Sequence, residues 1–181
     1  MFVATPDAAP STPPKRVFLG FLLAICSLAL IACTVEDDGA GSQQDYLGQI
    51  SPPLGRATDV GDEWNELQEE LFQIDATRLS LSEAEKLTEE QLAAARKAKT
   101  TFSDALTVIQ SITAPDKCLE SHVAIIESLQ LAERGFGDIV SGLSSTLRGG
   151  SGADALERGS RLLAEADRVK ARTLPEFENC G

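Results

Sequence analysis

Histidine is almost missing from this chain: His122 is the single imidazole among 181 residues. Di-iron bundles need a Glu-x-x-His motif on each of two helices, so one histidine excludes them. A Ser-His-Asp device would have to be built on His122, and no Gly-x-Ser-x-Gly elbow exists to raise a serine. Basic residues are also scarce, with 16 Lys and Arg against 28 Asp and Glu and a net charge of −12. Such a surface repels phosphate backbones, which excludes nucleic-acid binding. No segment keeps the period-two alternation of a half-buried strand. The longest apolar run, 17 to 32, has 16 residues, short of the roughly 20 needed to span a bilayer.

That apolar run is nonetheless the most informative stretch. It follows Lys15-Arg16 and precedes the acidic Glu36-Asp37-Asp38. Positive charge, an apolar core and then small residues is the layout of an export signal. The basic flank holds the N-terminal side in the cytoplasm and sends the remainder across.

The run ends in Leu30-Ile31-Ala32-Cys33, which resembles the lipobox of bacterial lipoproteins. The resemblance covers the first 33 residues. It implies that Ala32 fits the signal-peptidase subsite and that the Cys33 thiol takes a diacylglyceryl group before cleavage. In that family the freed amine is often acylated as well, palmitate being a usual chain. Two or three chains, at about 0.8 kcal/mol per buried methylene, hold far more firmly than one. The implied location is the extracytoplasmic side of the cell membrane or outer membrane. The competing reading is an uncleaved signal anchor with Cys33 as a buried thiol. A long n-region containing Asp7 departs from the family pattern. Cleavage before Cys33 would remove 32 residues, among them Lys15, Arg16 and Asp7. It would leave 149 residues with 14 basic and 27 acidic side chains.

Residues 1–32 are therefore read as a signal peptide and 33–42 as the lipidated cysteine with a flexible acidic tether. Residues 43–181 are read as one helical domain. Thr34 to Ser42 is Gly, Ser and acid with almost nothing apolar, and cannot repay its ordering entropy. Beyond it, apolar residues recur at steps of three and four. A first stretch carries Tyr46, Leu47, Ile50, Leu54, Ala57, Val60, Trp64, Leu67, Leu71 and Ile74. Pro52-Pro53 is expected to break or kink it, which gives a short piece over 43–50 and a main helix over about 53–77. Thr88-Glu89-Glu90-Gln91 reads as a capping box opening a second helix to about Ile112, with a short turn around Ser82-Glu83-Ala84-Glu85 before it.

Ala114-Pro115-Asp116 restarts the chain. A third helix follows with Cys118, His122, Ile125, Leu129, Ala132, Phe136, Ile139, Leu143 and Leu147 on its stripe. Gly135, Gly137 and Gly142 within it mark either a kink or a close helix contact. Arg148 to Gly152 is a loop, and a fourth helix runs over about 153–173 until Leu174-Pro175 stops it. Four amphipathic segments with short connections imply an all-α, antiparallel, up-down-up-down four-helix bundle.

Of the four cysteines, Cys26 would leave with the signal and Cys33 would be acylated. Cys118 and Cys180 remain, in a compartment that permits disulfides. Antiparallel third and fourth helices return the C-terminus to Cys118, so these two are expected to pair. A sharper alternative is a metal held by Cys118 and His122, one turn apart. Two ligands are too few for a structural site, and a His packed against a disulfide is the simpler reading. Glu63, Glu66, Glu69 and Glu70 could bind cations, but such runs are more often solvated helix faces. Trp64, Phe102 and Phe136 could line a ligand pocket between helices; at helical spacing they are more often core.

No nucleophile, acid–base pair or cofactor motif is recognisable. The expectation is a non-enzymatic, cofactor-free, membrane-tethered interaction or structural module with a protein partner in the cell envelope. The alternative is a small-ligand-binding or sensory lipoprotein that uses the bundle interior.

Overall fold

A computed structural model describes residues 40–75 and 78–178, with side chains over 43–75 and 78–173. Four helices account for most of these residues: α1 (Ala40–Phe72), α2 (Leu81–Gln110), α3 (Leu119–Leu147) and α4 (Ala153–Glu178). A 3-10 turn, Asp116–Cys118, leads into α3. No strand occurs among the described residues. The chain is an all-α antiparallel four-helix bundle.

The expected break at Pro52-Pro53 does not occur. α1 is continuous, with both prolines inside it. Two missing N–H donors leave the carbonyls of Gly48 and Gln49 without their intrahelical partners. Both residues are exposed, which lowers the cost of the lost bonds. Pro53 is buried and takes a place on the apolar stripe Tyr46, Ile50, Pro53, Ala57, Val60, Trp64. The steps of four and three along that stripe give the 3.5-residue repeat of a bundle seam. Burying the ring opposes the cost of the lost bonds. α1 also opens at Ala40, three residues inside the span assigned to the tether.

The start of α2 differs as well. Its N-cap is Ser80, not Thr88. The Ser80 hydroxyl accepts from the Glu83 amide, and a Glu83 carboxylate oxygen accepts from the Ser80 amide at 2.8 Å. Both sites match the Ser/Thr-x-x-Glu/Gln pattern, and the helix starts at the earlier one. Thr88 lies inside α2, its hydroxyl donating to the Ala84 carbonyl. A Ser80→Ala variant should lose about 1 kcal/mol of stability. Thr88→Ala should change it by less than about 0.5 kcal/mol. Chemical denaturation of both variants checks the assignment.

α4 does not stop at Leu174-Pro175 but continues to Glu178. Proline deletes one donor there, within a turn of the helix end, where few bonds remain to be disrupted.

The core forms three apolar clusters. Tyr46, Ile50 and Cys118 lie with Ile112, Ala114 and Ile125. Ala57, Ala105, Ile109 and Leu129 form the next. Val60, Trp64, Leu92, Ala95, Ala98, Phe136, Ile139 and Leu143 form the third.

Gly135 and Gly142 mark a close helix contact rather than a kink, since α3 is unbroken through both. A Cβ built on Gly135 would lie 3.1 Å from the Gly159 carbonyl oxygen, and one on Gly142 would lie 2.9 Å from that of Gly152. The reverse placements are tighter: a Cβ on Gly159 would lie 2.7 Å from the Gly135 oxygen, and one on Gly152 would collide with the Gly142 backbone. The Ser128 hydroxyl donates to the Ala166 carbonyl at 3.1 Å in the same register. Small residues thus recur at every seventh position on both sides of the contact: Ser121, Ser128, Gly135 and Gly142 on α3, and Gly159, Ala166 and Thr173 on α4 with Gly152 just before its first residue.

Candidate functional site

The residues that carried the sequence reading fall into two groups. Leu30, Ile31, Ala32 and Cys33 lie outside the described residues, as does Cys180. Cys118 lies within them; it is fully buried and disulfide-bonded. Its sulfur is therefore committed, which removes the thiolate from the Cys118–His122 metal alternative. No group of three His, Cys, Asp or Glu residues able to hold a metal occurs among the described residues.

His122 instead faces α1. Its Nδ1 lies 3.0 Å from the Tyr46 hydroxyl, both side chains being buried. Burial pushes the Tyr46 phenol up to about 12 and lowers the His122 pKa below its ordinary value. In the tautomer protonated at Nε2, the neutral imidazole accepts a hydrogen bond from the Tyr46 hydroxyl at Nδ1. This pair is part of the core beside the disulfide.

The lowered His122 value has a consequence for pH. The unfolded chain takes up the imidazole proton at a higher pH than the folded chain does. Stability is therefore lost as pH falls below about 6.5, and the loss levels off below the folded-state value. Asp62 and Asp167 act in the opposite sense. Burial raises both carboxyl groups against the opposing charge of Lys170, so stability declines as pH rises through their window. Subtracting the His122→Gln profile from that of the parent isolates the imidazole. Denaturation midpoints at pH 7.5 and 5.0 should fall more in the parent. Equal falls would mean that His122 is not held neutral.

Trp64, Phe102 and Phe136 come together, but as packing. Trp64 meets Phe136 edge-on and Phe102 stacks on Phe136, each pair with centroids 5.5 Å apart. A shallow surface concavity lined by Lys99, Glu133, Arg134, Gly137, Asp138 and Leu162 does not involve these rings. In the acidic run, Glu63 pairs with Lys97 across to α2. Glu66, Glu69 and Glu70 are exposed.

A different feature stands out at the corner between α1 and α2. Phe72 is 83% exposed and Leu81 87%, and Ile74 between them is also exposed. Ile74 falls on the α1 stripe by spacing, yet α1 ends two residues before it. Phe72 and Leu81 were not singled out from the sequence. The available signal was that Phe72 falls off the stripe that passes through Leu71.

No protein-family model matches this chain, and no curated protein or solved structure matches it. None of the helices among the described residues is long and apolar enough to cross a membrane.

Proposed function

We propose that this chain is a lipid-anchored, extracytoplasmic helical bundle that acts as a non-enzymatic interaction module. The anchor is a set of acyl chains on Cys33, the first of them added to its thiol before the chain is cleaved after Leu30-Ile31-Ala32. The working surface is the α1–α2 corner. The observation that carries this reading is the exposure of Phe72 and Leu81 on a bundle whose other large apolar side chains mostly fill its core. Large apolar side chains left this far in water mark candidate protein-docking surfaces, and Phe72 and Leu81 are more exposed than Leu119 at 53% or Val123 at 57%. Chain geometry suits a tethered presenter. α1 opens seven residues after Cys33 and has 33 residues, so Phe72 lies roughly 50 Å along the helix from its start at 1.5 Å per residue. A bundle of this length displays the corner away from the end where the tether enters.

The test is photo-crosslinking in intact host cells. A benzophenone side chain at Phe72 should give a discrete crosslinked protein species. The same group at Gln130, exposed on the flank of α3, should not. Crosslinks at Gln130 and none at Phe72 would overturn the assignment of the corner. No crosslink at either position would overturn the interaction reading.

A further inference from the structure

We propose that the α1–α2 corner docks a cationic amphipathic segment of a protein partner, with Phe72 and Leu81 as the apolar anchors and the surrounding carboxylates as the collar. The proposal rests on the interaction reading above and adds the chemistry of the partner. From Glu66 to Glu90 the chain carries eight acidic residues (Glu66, Glu69, Glu70, Asp75, Glu83, Glu85, Glu89 and Glu90) against Arg78 and Lys86. All eight acidic residues are exposed. The two cations are already engaged locally: Arg78 lies 3.0 Å from Asp75, and Lys86 lies 3.7 Å from Glu90. The corner therefore presents an apolar centre within a negative field that its own bases do not cancel.

That combination selects among occupants. A second copy of the chain would bring the same negative collar onto the first, and like charges across a contact disfavour it. Anionic lipid headgroups are repelled for the same reason. An uncharged apolar partner gains from Phe72 and Leu81 but draws nothing from the carboxylates. A segment with Lys or Arg around Leu, Ile or Phe satisfies both features. Its apolar residues cover the two exposed side chains, and its cations meet Glu69, Glu70, Glu83 and Glu85. Charge of this kind speeds encounter and sets specificity, while the apolar anchors hold the complex.

The experiment uses the full chain in an uncharged detergent and three synthetic peptides of equal length. One is a Leu/Lys amphipathic helix, one a Leu/Glu counterpart and one a Ser/Lys counterpart. Fluorescence anisotropy should show the Leu/Lys peptide binding about tenfold or more tightly than either control. Raising salt from 50 to 500 mM should weaken it several-fold. The double variant Phe72→Ser with Leu81→Ser should lose about tenfold in affinity. Both side chains project into solvent, so its thermal midpoint should match the parent and a folding defect can be told from a docking defect. Equal binding of the Leu/Glu peptide would overturn the proposal, as would unchanged affinity in the double variant. A crosslink from Phe72 that maps to an acidic or uncharged segment would overturn this inference while leaving the interaction reading in place.

Discussion

Gly159→Leu is expected to lower the unfolding free energy by about 3 kcal/mol, the upper part of the range for overpacked sites. At this chain length that corresponds to a fall of roughly 10 °C in the thermal midpoint. The reason is the spacing of α3 and α4. A Cβ at 159 would meet the Gly135 carbonyl oxygen and Ile139 Cγ1, each at 2.7 Å. One neighbour is backbone, which cannot rotate aside as a side-chain tip can. The helices would have to separate and would lose contacts along the whole seam of small residues. Gly55→Ala is the matched control. It lies inside α1, and a Cβ there meets nothing within 4 Å. Removing a helical glycine without a clash should stabilise by about 0.5–1 kcal/mol. Two glycines in long helices should thus respond with opposite sign. If Gly159→Leu melts like the parent, the close α3–α4 contact is wrong.

Loss of the disulfide is expected to cost about 2–4 kcal/mol, whether by reduction or by Cys118→Ala with Cys180→Ala. Cys118 is bonded and fully buried, and we propose Cys180 as its partner. The seam supports this pairing. The register that sets Gly135 against Gly159 and Ser128 against Ala166 sets position 118 against position 176. Cys180 follows four residues later in the chain. A bridge there closes a loop of about 60 residues, which removes substantial freedom from the unfolded chain. Helical content should survive reduction, because the apolar stripes do not depend on the bond. Peptide mapping of the unreduced protein identifies the partner. A Cys118 linkage to Cys26 or Cys33 would refute the pairing and, in the second case, the anchor too.

The four helices were legible because their apolar residues recur at three and four. The antiparallel order followed from short connections. Gly135 and Gly142 already hinted at the seam, although their opposition to Gly159 and Gly152 depends on a register that spacing alone does not fix. The reading failed where a local rule competed with tertiary packing. Pro52-Pro53 signals a break, yet Pro53 sits on the buried stripe and α1 continues through it. Ser/Thr-x-x-Glu/Gln patterns start at Ser80, Ser82 and Thr88, and nothing local says that Ser80 is the one that caps α2. The Tyr46–His122 contact joins residues 76 apart, which no periodicity reveals. The exposed corner was missed for a related reason. Exposure is a property of neighbours, and Phe72 and Leu81 look like ordinary helix apolars until the turn between them is placed.

The claim on which the function rests is the lipid on Cys33. Metabolic labelling with a fatty-acid analogue, followed by mass spectrometry of the mature N-terminal peptide, tests it most directly. The account predicts a label in the parent, its complete loss in Cys33→Ala, and a mature chain that begins at Cys33 carrying a diacylglyceryl group. Equal labelling of parent and variant would contradict it, as would an unmodified Cys33 thiol within an uncleaved chain.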